Sequence, residues 1–243
     1  MTPDLSDRQS QLLKAIIEEY IESSEPVGSQ NLVEKTQMKV SPATVRNEMV
    51  SLSEKGYLSQ PHSSAGRAPT SLGWRYYLEH LVTKEELPIL QEVALKQRLW
   101  QEREEAVKLF YTASHALADT TQSLGVVVTT NGYIFHSGAD HLLENAEFFD
   151  IDVAQAALRL MNKSESLLKI VNMGKDNPEV RVYFGSEIGE EKLAACSLVV
   201  ANFKNGKFEG VAGILGPSRM HYNQIIPAVR HINNLLSDLG GAW

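Results

Sequence analysis

Residues 41–55, SPATVRNEMVSLSEK, carry side chains suited to reading a nucleic acid. Ser41 followed by Pro42 opens a helix. Serine caps the first free N–H groups, and proline at the first helical position loses nothing by lacking one. Gly56 ends it. At about 100° per residue, Val45, Met49 and Leu52 share one face that must be buried. Ala43, Thr44, Asn47, Val50 and Ser51 lie opposite, with Arg46 on the flank. A plain surface helix would carry Glu and Lys there. Thr44, Asn47 and Ser51 instead donate and accept hydrogen bonds. Asparagine can pair twice with adenine, and arginine twice with guanine. Ala43 permits close approach or touches a thymine methyl. For the helix alone, a polar surface without a partner is the competing reading.

The surrounding elements favour the first reading. Ser6 and Gln9 form a capping-box signature, and Leu12, Leu13, Ile16, Ile17, Tyr20 and Ile21 recur at helical spacing over about 7–23. Glu25-Pro26-Val27-Gly28 breaks that helix. Ser29 opens a short one ending near Thr36, and Gln37–Val40 is a brief turn. Helix, short helix, turn, helix is the helix-turn-helix order, whose last helix enters the major groove by its N-terminal residues. Lys39 and Ser41, leading into it, join the candidate DNA contacts. A strand at Gly56-Tyr57-Leu58, the turn QPHSSAGRAPT, and a helix from Ser71 with Trp74, Tyr77, Leu78 and Leu81 follow. A hairpin straight after the last helix is a wing. Its tip, Ser63 to Arg67, suits phosphate contact or entry of Arg67 into a minor groove. Ser64, Gly66 and Arg67 are therefore candidates, and His62 either joins them or packs under the wing.

A net charge of −7 argues at first against nucleic acid. Residues 1–34 account for −5 of it, however, whereas residues 35–75 carry +4. A local basic face suffices, because phosphate attraction is short-ranged in salt. The 243 residues allow two modest domains. The polar, acidic start MTPDLSDRQS is no signal peptide, and runs such as GVVV are too short for a bilayer. The single cysteine, Cys196, makes neither an internal disulfide nor a metal site. A cytoplasmic protein without cofactor, metal or membrane contact is expected.

Three stretches carry a family resemblance. LSDRQSQLLKAIIEEYIESSEPVGS, SPATVRNEM and GYLSQPHSSAGRAPTSLGWRYY resemble the N-terminal domain of the HrcA family of heat-inducible transcription repressors. CSLVVANFKNGKFEGVAGILGPSRMHYNQIIPAVRHINNLL resembles the family's C-terminal end, with its run at Gly216, Pro217, Arg219, Met220 and Tyr222. FHSGADHLLENAEFFD resembles a segment between. The resemblance implies a dimeric repressor on an inverted-repeat operator, called CIRCE, upstream of chaperone genes, with the chaperonin holding it active until heat diverts it. It also implies a GAF-like domain interrupted by a dimerising insertion. Here GVVVTTNGYIFHSG passes directly between two strand-like runs through the tight-turn dipeptide Asn131-Gly132, so the insertion has no counterpart at that point.

Beyond the first 82 residues, Thr83 with Glu86 is a capping box, and a long charged helix runs from Pro88 to about Ala118. Val93, Trp100 and Val107 lie seven apart on it, while Gln97 and Glu104 interrupt the partner positions. It reads as a connector packing on its own domain or on a second copy. From Leu124 the runs GVVVTT, YIFHSG, EVRVYFG, CSLVVANF and KFEGVAGIL are strands, with helices near 152–161 and 164–171 and a last helix over about 219–239. Ser218 would cap that helix, and Arg219 would either sit beside a bound anion or be structural. The fold class is α+β: a winged helix-turn-helix (1–82), a connector helix (83–121) and a GAF-like antiparallel sheet with helices (122–243). Nothing argues for an enzyme. Cys196 reads as a buried thiol, and the histidines form no metal motif. A regulator with a small-molecule pocket in the GAF-like part, or a chaperone-binding protein without an operator, are the alternatives.

Overall fold

The computed structural model describes residues 5–36, 40–62, 65–83, 85–172, 180–206 and 208–239. The chain divides into two compact units, Met1–Lys84 and Glu85–Trp243. The first contains α1 (Asp7–Ser23), α2 (Ser29–Thr36), α3 (Pro42–Glu54), the strands β1 (Leu58–Ser59) and β2 (Ala68–Pro69), and α4 (Ser71–Tyr76), which runs on into a π-helical turn to Leu81. Ser6 and Ser41 cap their helices as expected. Ser6 makes the reciprocal capping box with Gln9, and Ser41 accepts from the Thr44 N–H. Leu13, Ile16, Ile17, Leu32, Val45, Met49, Leu52, Tyr57 and Trp74 form the core. β1 and β2 pair antiparallel, and Val27 adds a third strip through a bridge to Arg67.

The second unit begins with α5 (Ile89–Trp100) and α6 (Ala106–Thr121). The expected single connector helix is thus two helices, tied side by side through Arg98 to Asp119 at 2.8 Å. The charged run QEREE at 101–105 offers no apolar side chain to hold a continuous helix on a core. Leu99 and Leu109, both fully buried, are satisfied instead by turning back. Five strands follow: β3 (Leu124–Thr129), β4 (Ile134–Ser137), β5 (Arg181–Phe184), β6 (Cys196–Asn205) and β7 (Phe208–Pro217), in the order β4-β3-β7-β6-β5, every pair antiparallel. α7 (Ala139–Leu143), α8 (Ile151–Met161) and α9 (Ser164–Asn172) cover one face around Phe148, Leu160, Met161 and Leu167. α6 and α10 (Tyr222–Leu239) cover the other. At Gly125 a Cβ would lie 2.3 Å from the Ser114 carbonyl oxygen, so only glycine lets α6 lie this close to β3.

β3 and β4 are joined directly. Thr129 and Tyr133 exchange hydrogen bonds across the turn, and Gly132 adopts a φ of +96° that favours glycine. The last helix begins three residues later than the pattern suggests. The Ser218 N–H donates to the Ala195 carbonyl at 2.8 Å, which prolongs the strand ladder where a helix cap was expected.

Candidate nucleic-acid interface

α3 is held by its apolar side. Val45, Met49 and Leu52 are each 4% exposed or less. Ala43, Arg46, Asn47 and Val50 face solvent. Among the described residues, the Asn47 amide has no hydrogen-bond partner, so its two donors and its acceptor are open to an incoming ligand.

The two flanks of α3 are used differently. Toward α1, Glu48 pairs with Arg8 and accepts from Gln9 Nε2 at 3.1 Å. The same Gln9 nitrogen donates to Ser51 Oγ at 3.3 Å, while Lys55 Nζ donates to Gln9 Oε1 at 2.9 Å. Ser51 therefore faces the protein, where the wheel placed it on the outer side. Thr44, half-buried, has its hydroxyl 2.9 Å from that of Ser41, so these two candidates serve the helix cap. Toward α2 and the wing lies a cleft of about 370 Å³ whose lining includes Arg46, Met49, Val50, Gln60, Gly66 and Arg67, beside Gly28 and Ser29 at the start of α2.

In the wing, Arg67 continues β2 toward the turn, with its N–H and carbonyl both bonded to Val27 at 2.9 and 2.8 Å. It lines the cleft, and its Nε is buried without a hydrogen-bond partner among the described residues. The bridge to Val27, forty residues earlier in the chain, pulls it there. Gly66 is accounted for by the same approach, since a Cβ would meet the Val27 carbonyl carbon and oxygen at 2.4 Å. His62 is exposed and does not pack under the wing. Lys39 and Ser64 lie outside the described residues. Val50, 40% exposed on the outer face of α3, is an additional candidate for thymine-methyl contact that a search for polar types passes over. Gln60 is another, on the exposed side of the wing with Nε2 donating to the Ala65 carbonyl at 3.0 Å.

Elsewhere the chemistry is structural. Arg219 donates two bonds to Glu147, at 2.7 and 2.9 Å, with both side chains largely buried, so it supports the fold and has no anion to hold. Burial pushes the Cys196 thiol up to about 12, with the Glu147 charge adding to the effect. It is a buried thiol and no nucleophile. Among the described residues, no group of three or more His, Cys, Asp or Glu side chains could hold a metal ion, and no helix is long and apolar enough to cross a membrane.

A family model described as the HrcA protein C-terminal domain matches residues 75–226, and one described as the winged helix-turn-helix transcription repressor, HrcA DNA-binding, matches residues 4–79. The chain belongs to the HrcA family. HrcA is a family of transcription repressors, so the winged unit is a DNA-binding domain and the protein is not an enzyme. Similar proteins include the heat-inducible transcription repressor HrcA of Roseiflexus castenholzii, 26% identical over 98% of this chain and 95% of that one. That of Halalkalibacterium halodurans is 27% identical over 97% of each. The Roseiflexus alignment spans 342 positions against 243 residues here, so at least 99 of its positions have no counterpart in this chain. A crystal structure described as that of a hypothetical protein at 2.2 Å resolution shares the fold, with a TM-score of 0.79 at 19% identity over 98% of this chain and 99% of that one.

Proposed function

We propose that this HrcA protein represses heat-shock and chaperone genes in the cytoplasm by binding a CIRCE-type inverted repeat as a homodimer. The observation that carries the reading is the outer face of α3: Ala43, Asn47 and Val50 are presented to solvent by a helix whose opposite side is locked into the core. One winged helix buries too little surface for operator affinity, so two copies on two half-sites are expected.

The second unit supports pairing. α5 buries Leu95 and Leu99 on one side, yet exposes Ile89 (76%), Leu90 (85%), Val93 (47%) and Trp100 (50%) on the other. Leu90, Val93, Gln97 and Trp100 follow the three-four spacing of a helix-pairing seam. Four large apolar side chains on one outer stripe mark a contact surface, and the occupant it fits is the same stripe of a second copy. Chaperonin control is carried in this reading by the family resemblance. A gel-shift assay on the inverted repeat, with a scrambled duplex as control, tests the proposal. Selective retention of the inverted repeat is expected, and equal retention of both duplexes refutes it.

A further inference from the structure

We infer that Arg46 and Arg67 together seat one backbone phosphate, so that Arg46 positions the duplex and does not read a guanine. The inference rests on the DNA-binding reading above and specifies how one part of that surface is used. Both side chains line the same cleft, between the flank of α3, the wing and the first residues of α2. The lining contains no carboxylate among the described residues. Among the described residues, neither guanidinium has an ion-pair or side-chain hydrogen-bond partner. This sets them apart from Arg8, spent on Glu48, and Lys35, spent on Glu19. Two like charges lining one cleft repel unless an anion lies between them.

Arg67 adds a more specific requirement. Its Nε is buried and bonded to no described partner, which leaves the terminal guanidinium nitrogens to meet a ligand in the cleft. A phosphate entering there would accept from both, the planar fork matched to two oxygens. The start of α2, with Gly28 and Ser29 on the same wall, adds the positive end of a helix dipole. The backbone of Arg67 is fixed by its two bonds to Val27, so this side chain is delivered to the cleft and is not free to search a minor groove. Asn47 lies on the outer face, away from the lining of this cleft. Base reading by Asn47 and phosphate holding by Arg46 are thereby assigned to neighbouring sides of α3, with Val50 at the border between them.

The test is a salt titration of binding to the inverted-repeat and scrambled duplexes, using the full chain as wild type, Arg46→Ala, Arg67→Ala and the double variant. Each single variant is expected to weaken both duplexes by the same factor. If one phosphate is shared, the double variant loses roughly 0.9 of log–log salt slope per bound protomer; two separately held phosphates would cost roughly 1.8. A loss near the larger figure overturns the shared seat. So does an unchanged slope, or a fall in the inverted-repeat-to-scrambled ratio with Arg46→Ala. A thermal melt checks that each variant folds. Should the double variant melt early, Arg67→Lys decides: slope retained with weaker binding supports the seat, and unchanged affinity overturns it. A wild type that does not prefer the inverted repeat would refute sequence-specific repression while leaving the slopes readable.

Discussion

Asn47→Ala separates base reading from folding. Asn47 is exposed, its amide touches no described partner, and it sits mid-helix on the outer face of α3. Its removal costs the fold little. Surface changes of this kind stay within about 0.5 kcal/mol, and alanine is the better helix former. On DNA the balance is different. A good bidentate contact to a base contributes about 1–3 kcal/mol of discrimination. With two half-sites occupied, the loss is about 2–6 kcal/mol, or roughly 30-fold to 10⁴-fold in affinity. Fluorescence anisotropy at fixed salt, with inverted-repeat and scrambled duplexes, measures it. The inverted repeat should weaken while the scrambled duplex stays put, driving the ratio toward one. Equal weakening of both, or of neither, refutes the placement of base reading on this face.

Other consequences concern stability and assembly. Gly66→Ala should pry the wing from Val27, because its Cβ would meet that carbonyl at 2.4 Å. Two backbone hydrogen bonds are at stake, about 1–3 kcal/mol, visible as faster amide exchange at Val27 and Arg67, and unchanged exchange would contradict it. Arg219→Ala leaves the Glu147 carboxylate, 16% exposed, without its partner. The full buried-pair penalty of about 3–5 kcal/mol, eased by residual solvent, puts the loss near 2–3 kcal/mol, read by denaturant melts. Cys196, its thiol held at about 12, should resist iodoacetamide at pH 8 in the native protein and react once unfolded. Because the folded state keeps this proton longer, its contribution is complete below the ordinary thiol value and declines as pH rises from about 9 toward 12. Leu90→Glu should give monomers in sedimentation that keep the native circular dichroism spectrum, since Leu90 is 85% exposed within one chain; a dimer that persists would remove α5 from the contact.

What the sequence made legible was local. Ser41-Pro42, Gly56 and the spacing of Val45, Met49 and Leu52 set both ends and the buried side of α3, because caps and periodicity act within a few residues. What it concealed depends on partners far along the chain. Ser51 points outward on a wheel but accepts a bond from Gln9, forty-two residues away. Arg67 reads as part of the wing, and nothing local shows its pairing with Val27. The QEREE run has good helix formers throughout, so propensity predicts continuity. Only the burial of Leu99 and Leu109 forces the reversal. Arg219 could be read as either anion-binding or structural, and its choice of Glu147 was set by a fold that brings positions 72 residues apart together.

The second unit also bears on how the protein is controlled. A small-molecule effector would need room against the sheet. On one face that space is filled by Leu142, Phe148, Leu160, Met161 and Leu167, packed on Val126, Leu198 and Leu215. On the other, α6 lies close enough to β3 to demand a glycine at 125. By contrast, α5 carries apolar side chains on two opposite sides, and only the Leu95–Leu99 side is covered. An outer stripe of four large apolar side chains on one helix is more than scattered surface residues account for. Burying the outer stripe requires a second protein surface, whereas binding a ligand in the core requires expelling side chains already at close packing. The cheaper of the two changes is assembly. If the second unit pairs as proposed, control of this repressor is better sought in what favours or disfavours that pairing than in a cavity within the unit.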